Sequence, residues 1–207
     1  MLNINPNKKA FFLENAAKFL RKNGISLLMG TALVAMLVNP DAKAWVLQKL
    51  LFTGLFNAKI EQKAVKNASQ TAADFSFTNE NNEVINTTSL RGKVVFINFW
   101  ASWCGPCRAE FPSIQKLYTQ FKDNPNVYFV MINTDDAILK AKNYLEKEQF
   151  TIPLQHAYGA IPDAVYTGTL PTTVVLDKKG NIRFSHEGFA NYASEDFIKQ
   201  IHDLIKE

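Results

Sequence analysis

Cysteine is nearly absent: the 207-residue chain holds two, Cys104 and Cys107. A framework of several disulfides is therefore excluded, and any disulfide or dithiol chemistry falls on this one pair. Histidine is almost as scarce, with three residues, and none lies near the cysteines in sequence. Lacking a third cysteine or a neighbouring histidine, the pair is short of ligands for a closed zinc site. Long apolar runs are missing too. The uncharged stretch Gly24–Val38 falls short of the ~20 residues that a spanning helix usually takes. There is no internal repeat and no long low-complexity tract.

What is present is unevenly distributed. Residues 1–71 carry ten basic and three acidic side chains, whereas residues 72–207 carry thirteen and sixteen. A basic front beside an apolar run points to a membrane and away from nucleic acid. Lys8, Lys9, Lys18, Arg21 and Lys22 interleave with Phe11, Phe12, Phe19 and Leu20, the composition of a short amphipathic helix at a membrane surface. Three readings of Gly24–Val38 stand side by side. It is the apolar core of a cleaved signal peptide with Ala42-Lys43-Ala44 as the cleavage site, an uncleaved anchor helped by snorkelling lysines and Trp45, or a core helix. In the first two, residues 1–23 stay cytoplasmic and the rest is exported. Trp45–Phe56 is apolar with one lysine, and reads as an interfacial helix or an extension of the anchor. Asn57–Ala72 is polar, basic and free of aromatics, and reads as a linker. The expected division is 1–56 anchor segment, 57–72 linker and 73–207 folded domain.

The stretch that organises the domain is Val94–Pro112. A run of β-branched and aromatic residues, Val94–Trp100, predicts a buried strand. Cys104-Gly105-Pro106-Cys107 follows, and then a segment with helical apolar spacing at Phe111, Ile114, Leu117, Tyr118 and Phe121. A helix N-terminus offers unpaired N–H groups and the positive end of a dipole, so a cysteine there has its thiolate stabilised. Cys104 is therefore expected to attack, and Cys107, one turn further in, to be more covered and to resolve the mixed disulfide. Pro106 presets a helical φ where a missing N–H costs little. Trp103 is placed to shield the sulfur from water. The chemistry is thiol–disulfide exchange.

Trp103-Cys104-Gly105-Pro106-Cys107 is similar to the active site of thioredoxins. Together with Asn98-Phe99-Trp100, Arg108–Pro112 and Leu170-Pro171-Thr172-Thr173, the domain resembles thioredoxin-like proteins of the TlpA/ResA type from about Ala73 onward. The resemblance implies an α/β thioredoxin fold: a central mixed sheet flanked by helices, with extra N-terminal strands, preceded by a membrane anchor. It implies a bacterial inner-membrane protein with a single N-terminal pass and its domain in the periplasm, the alternative being a secreted form after signal cleavage. By the resemblance, Pro171 is a cis proline lying against the cysteines, and Trp103, Gly105, Pro106, Leu170 and Pro171 form the surface that receives a substrate chain. Glu110, three residues after Cys107 and on the same helical face, then holds or accepts the proton of the resolving thiol, against the plainer alternative of a solvated surface glutamate. Asn98 departs from the buried aspartate of thioredoxins. Asparagine cannot titrate, so either Glu110 handles protons alone or exchange runs without a dedicated base.

The remaining elements follow from pattern. Short strands are expected at Asp74–Phe77 and Glu83–Asn86, a strand at Val127–Ile132 and helices at Arg108–Lys122 (kinked at Pro112), Asp136–Phe150 and Ser194–Ile205. A hairpin is expected from Thr172–Leu176 and Ile182–His186. Thr151–Gly168 has no clear pattern beyond a short helix start at Ile161–Ala164. The expected enzyme is a thiol–disulfide oxidoreductase without cofactor or metal. It reduces disulfides of exported proteins, apocytochromes c among the candidates, and is supplied by a transmembrane electron donor. A periplasmic disulfide oxidant is the alternative, and a copper or zinc chaperone built on the Cys104–Cys107 pair is the more distant one.

Overall fold

A computed structural model describes residues 22–34, 38–51, 53–54, 56–60 and 74–207. The expected amphipathic helix before residue 22 and residues 61–72 of the expected linker lie outside the described residues. The chain divides into two compact units, Met1–Ala42 and Lys43–Glu207. In the first, residues 22–34 are helical, and Ile25, Leu28, Met29, Leu33 and Val34 are all more than half exposed. Among the described residues no helix is long and apolar enough to cross a membrane. Helix α1 (Pro40–Leu51) follows.

The larger unit is built on a four-stranded mixed sheet in the order β4 (Val127–Asn133), β3 (Val94–Trp100), β6 (Thr172–Leu176), β7 (Ile182–Glu187). β3 and β4 are parallel, and the other neighbours are antiparallel. This is the expected thioredoxin-like α/β arrangement. The extra N-terminal strands do not extend that sheet. β1 (Ser76–Thr78) pairs on one side with β2 (Val84–Asn86) and on the other with β5 (His156–Tyr158), giving a separate antiparallel sheet. β5 lies in the stretch that showed no clear pattern, and the predicted helix start at Ile161 is a turn closed by Val165 and Tyr166 N–H on Pro162 O.

Successive side chains of a strand point to opposite faces, and β3 uses both. Val95, Ile97 and Phe99 join Phe75, Phe77, Val174 and Leu176 in one buried cluster. Phe96 and Trp100 join the other, with side chains from helices α2 (Gly105–Phe121), α3 (Ile138–Lys147) and α4 (Glu195–Lys206). Asn98 therefore falls on the helix-covered face, as a polar residue among Phe96, Trp100 and Phe111. α2 begins three residues earlier than the periodicity suggested and continues as one helix across Pro112. α4 starts as expected at Ser194, whose hydroxyl accepts from Phe197 N–H.

The segment read as a linker begins on the domain. Ala58 N–H donates to Asn191 O, Asn191 N–H donates to Phe56 O, and Ile60 exchanges two hydrogen bonds with the Gln200 amide. Ala58 and Ile60 are buried in the helix-side cluster, and the Phe56 and Phe189 rings lie 4.9 Å apart.

Candidate active site

The site forms where β3 ends. Register pairs Phe99 with Thr172, which sets Pro171 beside the last residue of β3, four positions before Cys104. The intervening loop is held from β4. Thr134 N–H donates to Trp100 O, and the Asp135 carboxylate accepts from both the backbone N–H and the hydroxyl of Ser102. Asn133 Nδ2 in turn donates to Asp135. Backbone and carboxylate thus fix the approach to the cysteines before α2 starts.

Cys104 and Cys107 form a disulfide, with Cα atoms 5.3 Å apart. Cys104 is the N-cap of α2, and its Sγ accepts from Cys107 N–H at 3.2 Å. Gly105 and Pro106 make the first helical turn. Cys104 is 4 % exposed and Cys107 fully buried. Trp103 is 61 % exposed, so its ring presents a broad apolar surface to solvent beside the pair. The Leu170–Pro171 peptide bond is cis. Pro171 is buried, Leu170 half-buried, and Pro171 O accepts from Gly188 N–H.

Glu110 is not the surface carboxylate of the plainer reading: it is fully buried. One oxygen accepts from Asn98 Nδ2 at 2.8 Å and the other from Ala190 N–H at 3.2 Å. Burial disfavours the charged form more than these two bonds favour it, and the carboxyl is pushed up to about 8. Asn98 Nδ2 also donates to Thr173 Oγ1 at 2.8 Å. Behind Glu110, Ser113 Oγ donates to Glu110 O and accepts from Tyr192 N–H. Tyr192 is itself fully buried, and its phenol is raised by burial and by the nearby carboxylate. Arg108, weighed as a tuner of the cysteines, lies over the Tyr144 ring at 4.7 Å.

Sequence reasoning singled out Asn98 and Glu110 separately and missed that they touch. The period of two was the available signal, since it puts Asn98 on the same face of β3 as Phe96 and Trp100. Thr173 stood in the Leu170–Thr173 motif without a role assigned to it, and Ala190, Tyr192 and Asp135 carried no comparable signal, because tertiary pairing alone brings them to the site.

A buried carboxyl thus lies one turn behind a helix-capping disulfide, and the strand next to β3 is preceded by a cis proline; the Redoxin family model matches residues 67–198. The chain belongs to the redoxin family. This redoxin is 32 % identical over 162 residues to the thiol-disulfide oxidoreductase ResA of Geobacillus thermodenitrificans, covering 78 % of this chain and 90 % of the relative. It is 28 % identical over 186 residues to the ResA of Oceanobacillus iheyensis, with 87 % of each chain covered. Among solved structures it is similar to a thiol:disulfide interchange protein of the thioredoxin family from Chlorobium tepidum. There the TM-score is 0.51 and the identity 26 %, over 65 % of this chain and 97 % of that one. The redoxin is a thiol–disulfide oxidoreductase of the thioredoxin-like type.

Proposed function

We propose that the chain is a membrane-tethered reductant of disulfides in exported proteins, with Cys104 as the attacking and Cys107 as the resolving sulfur. In the dithiol form, the Cys104 thiolate attacks one sulfur of a substrate disulfide. A mixed disulfide forms, and the other substrate sulfur leaves as a thiolate that takes a proton from water. Cys107 gives its proton to Glu110 and attacks Cys104 Sγ. The mixed disulfide breaks, the Cys104–Cys107 bond closes, and the second substrate thiolate is released. Two electrons pass to the substrate. Restoring the dithiol takes a donor dithiol, which in an exported, oxidising compartment has to be supplied from across the membrane. Trp103, Gly105, Pro106, Leu170 and Pro171 receive the substrate chain, extended along the segment before Thr172.

The observation that carries the reducing direction is buried Glu110, one helical turn after Cys107. An oxidant of this class has its reduced form stabilised. A buried carboxyl on the same helical face, one turn on, does the opposite: in its ionised form it disfavours the thiolate of the resolving sulfur and so favours giving up the electrons. The Gly105-Pro106 pair, shared with reducing thioredoxins, agrees with this direction. The ResA relatives and the basic, apolar front of the chain support placing the domain on the outer face of a bacterial inner membrane, with apocytochromes c as one candidate substrate. The exposed apolar side chains of the 22–34 helix suit a lipid environment.

Equilibration of the Cys104–Cys107 pair against thiol buffers tests the proposal. A midpoint near thioredoxin's value of about −270 mV is expected. A value near about −120 mV, that of the oxidant DsbA, would make the protein a disulfide donor instead. A Cys107→Ser chain is expected to hold substrates as mixed disulfides through Cys104, whereas Cys104→Ser is expected to trap none.

A further inference from the structure

The role proposed for Glu110 requires a buried carboxyl to exist in two protonation states, and its neighbours suit only one of them. Asn98 Nδ2 and Ala190 N–H both donate to it. Donors hold a carboxylate well, but they leave the O–H of a protonated carboxyl without an acceptor. Asn98 meanwhile spends both Nδ2 hydrogens, on Glu110 and Thr173, while its own Oδ1 is buried with no hydrogen-bond partner among the described residues. The acceptor that the protonated carboxyl needs is therefore on the same amide, facing away from it.

We propose that Asn98 is a two-way positioning residue for Glu110, its side-chain amide turning over when the carboxyl gains a proton. With Glu110 ionised, Nδ2 donates to the carboxylate and to Thr173 Oγ1. With Glu110 protonated, Oδ1 takes the place of Nδ2 and accepts from the Glu110 O–H. The amide oxygen and nitrogen are nearly the same size, so the half-turn needs no new space in the packed core. Thr173 follows without moving, because a hydroxyl can accept in the first state and donate in the second. The Tyr192 hydroxyl, near enough to Thr173 for a loose side-chain hydrogen bond that falls outside strict geometry, lies where it can answer the reversed hydroxyl. An aspartate at position 98 has no such freedom: its carboxylate offers only acceptors and sets a second negative charge against Glu110. The titratable groups around Glu110 are Tyr192 from the 188–192 loop and Cys107 on its own helix; β3 and β6 face it with Asn98 and Thr173, which do not titrate.

The inference rests on Glu110 being a proton carrier, and one experiment separates the two claims. In the oxidised full chain Cys107 is tied in the disulfide, so Glu110 titrates without the thiol. Carbon NMR of its carboxyl gives the protonation state, and the Asn98 side-chain NH2 resonances with their NOEs to the Thr173 methyl give the amide orientation. The expected result is loss of the NH2–Thr173 NOEs as pH falls, with the same midpoint as the carboxyl. Unchanged Asn98 NOEs through a clear Glu110 titration would overturn the turnover while leaving Glu110 a proton carrier. No Glu110 titration between about pH 5 and pH 9 would overturn both. Asn98→Leu is the second measurement. A one-way donor, when removed, leaves the ionised form alone worse off and raises the Glu110 midpoint by about one pH unit or more. A two-way partner leaves both forms worse off, so the midpoint is expected to stay within about half a pH unit.

Discussion

At the residue scale, Glu110 links redox chemistry to stability. Its carboxyl titrates near 4.5 when unfolded and at about 8 in the folded protein. Between those values the native state keeps a proton that the unfolded chain has released, so stability falls as pH rises from about 4.5 to about 8 and is level outside that window. Each tenfold change in proton affinity corresponds to about 1.4 kcal/mol, so the loss across the window is on the order of a few kcal/mol. Urea unfolding of the oxidised protein at pH 5 and pH 8 is expected to show this loss, and Glu110→Gln is expected to shrink it. A slope unchanged in the glutamine variant would place the pH dependence on other groups. This coupling was only half legible in the sequence. The spacing of Glu110 from Cys107 and the substitution at Asn98 were visible, but burial decides the carboxyl's behaviour. Burial comes from Ala190 and Tyr192, which sit some eighty positions away in the chain.

At the element scale, the sequence was legible wherever a segment's own pattern dictates its partner. β3 is buried throughout and apolar but for Asn98, because helices cover one face and the small sheet covers the other, and Ser194 announces α4 because its cap is local. β5 was not legible, since three residues become a strand only by pairing with β1. The start of α2 at the cysteines was legible from Pro106 and the pair itself, although the apolar periodicity begins only at Arg108, because its cap is the redox sulfur of Cys104. The clearest difference is the strap 56–60. Most of it belongs to the stretch 57–72, whose polar, basic composition reads as a linker, yet Ile60 is 5 % exposed and its backbone is paired on both sides by Gln200. The strap also binds Asn191, the neighbour of the Ala190 N–H that holds Glu110. Ile60→Ala is therefore expected to destabilise the domain by about 2 kcal/mol or more, the usual cost of emptying a buried isoleucine site. Chemical denaturation of the full chain checks this. A loss below about 0.5 kcal/mol, typical of surface positions, would mean that the strap does not hold the domain.

At the scale of the whole molecule, the charge asymmetry and the apolar stretch bear on where the chemistry takes place. Ten of the first 71 residues are basic, and five of them precede the uncharged run Gly24–Val38, the flank that stays cytoplasmic when a segment inserts. The run is short for a bilayer of about 30 Å. Lys22 at its start can extend its effective length by snorkelling, and Trp45 beyond its end suits the interface. The full chain, expressed in a Gram-negative host, is therefore expected to stay with the inner membrane after an alkaline wash. Protease added from the periplasmic side is expected to digest the domain and spare the basic front. A soluble product beginning at Trp45 would instead identify Ala42-Lys43-Ala44 as a cleavage site and make the protein a free periplasmic enzyme. That outcome would also change the redox argument, since a freely diffusing reductant has to meet its electron donor by collision. A tethered one is held within reach of a donor in the same membrane, where the local concentration set by the tether favours repeated turnover.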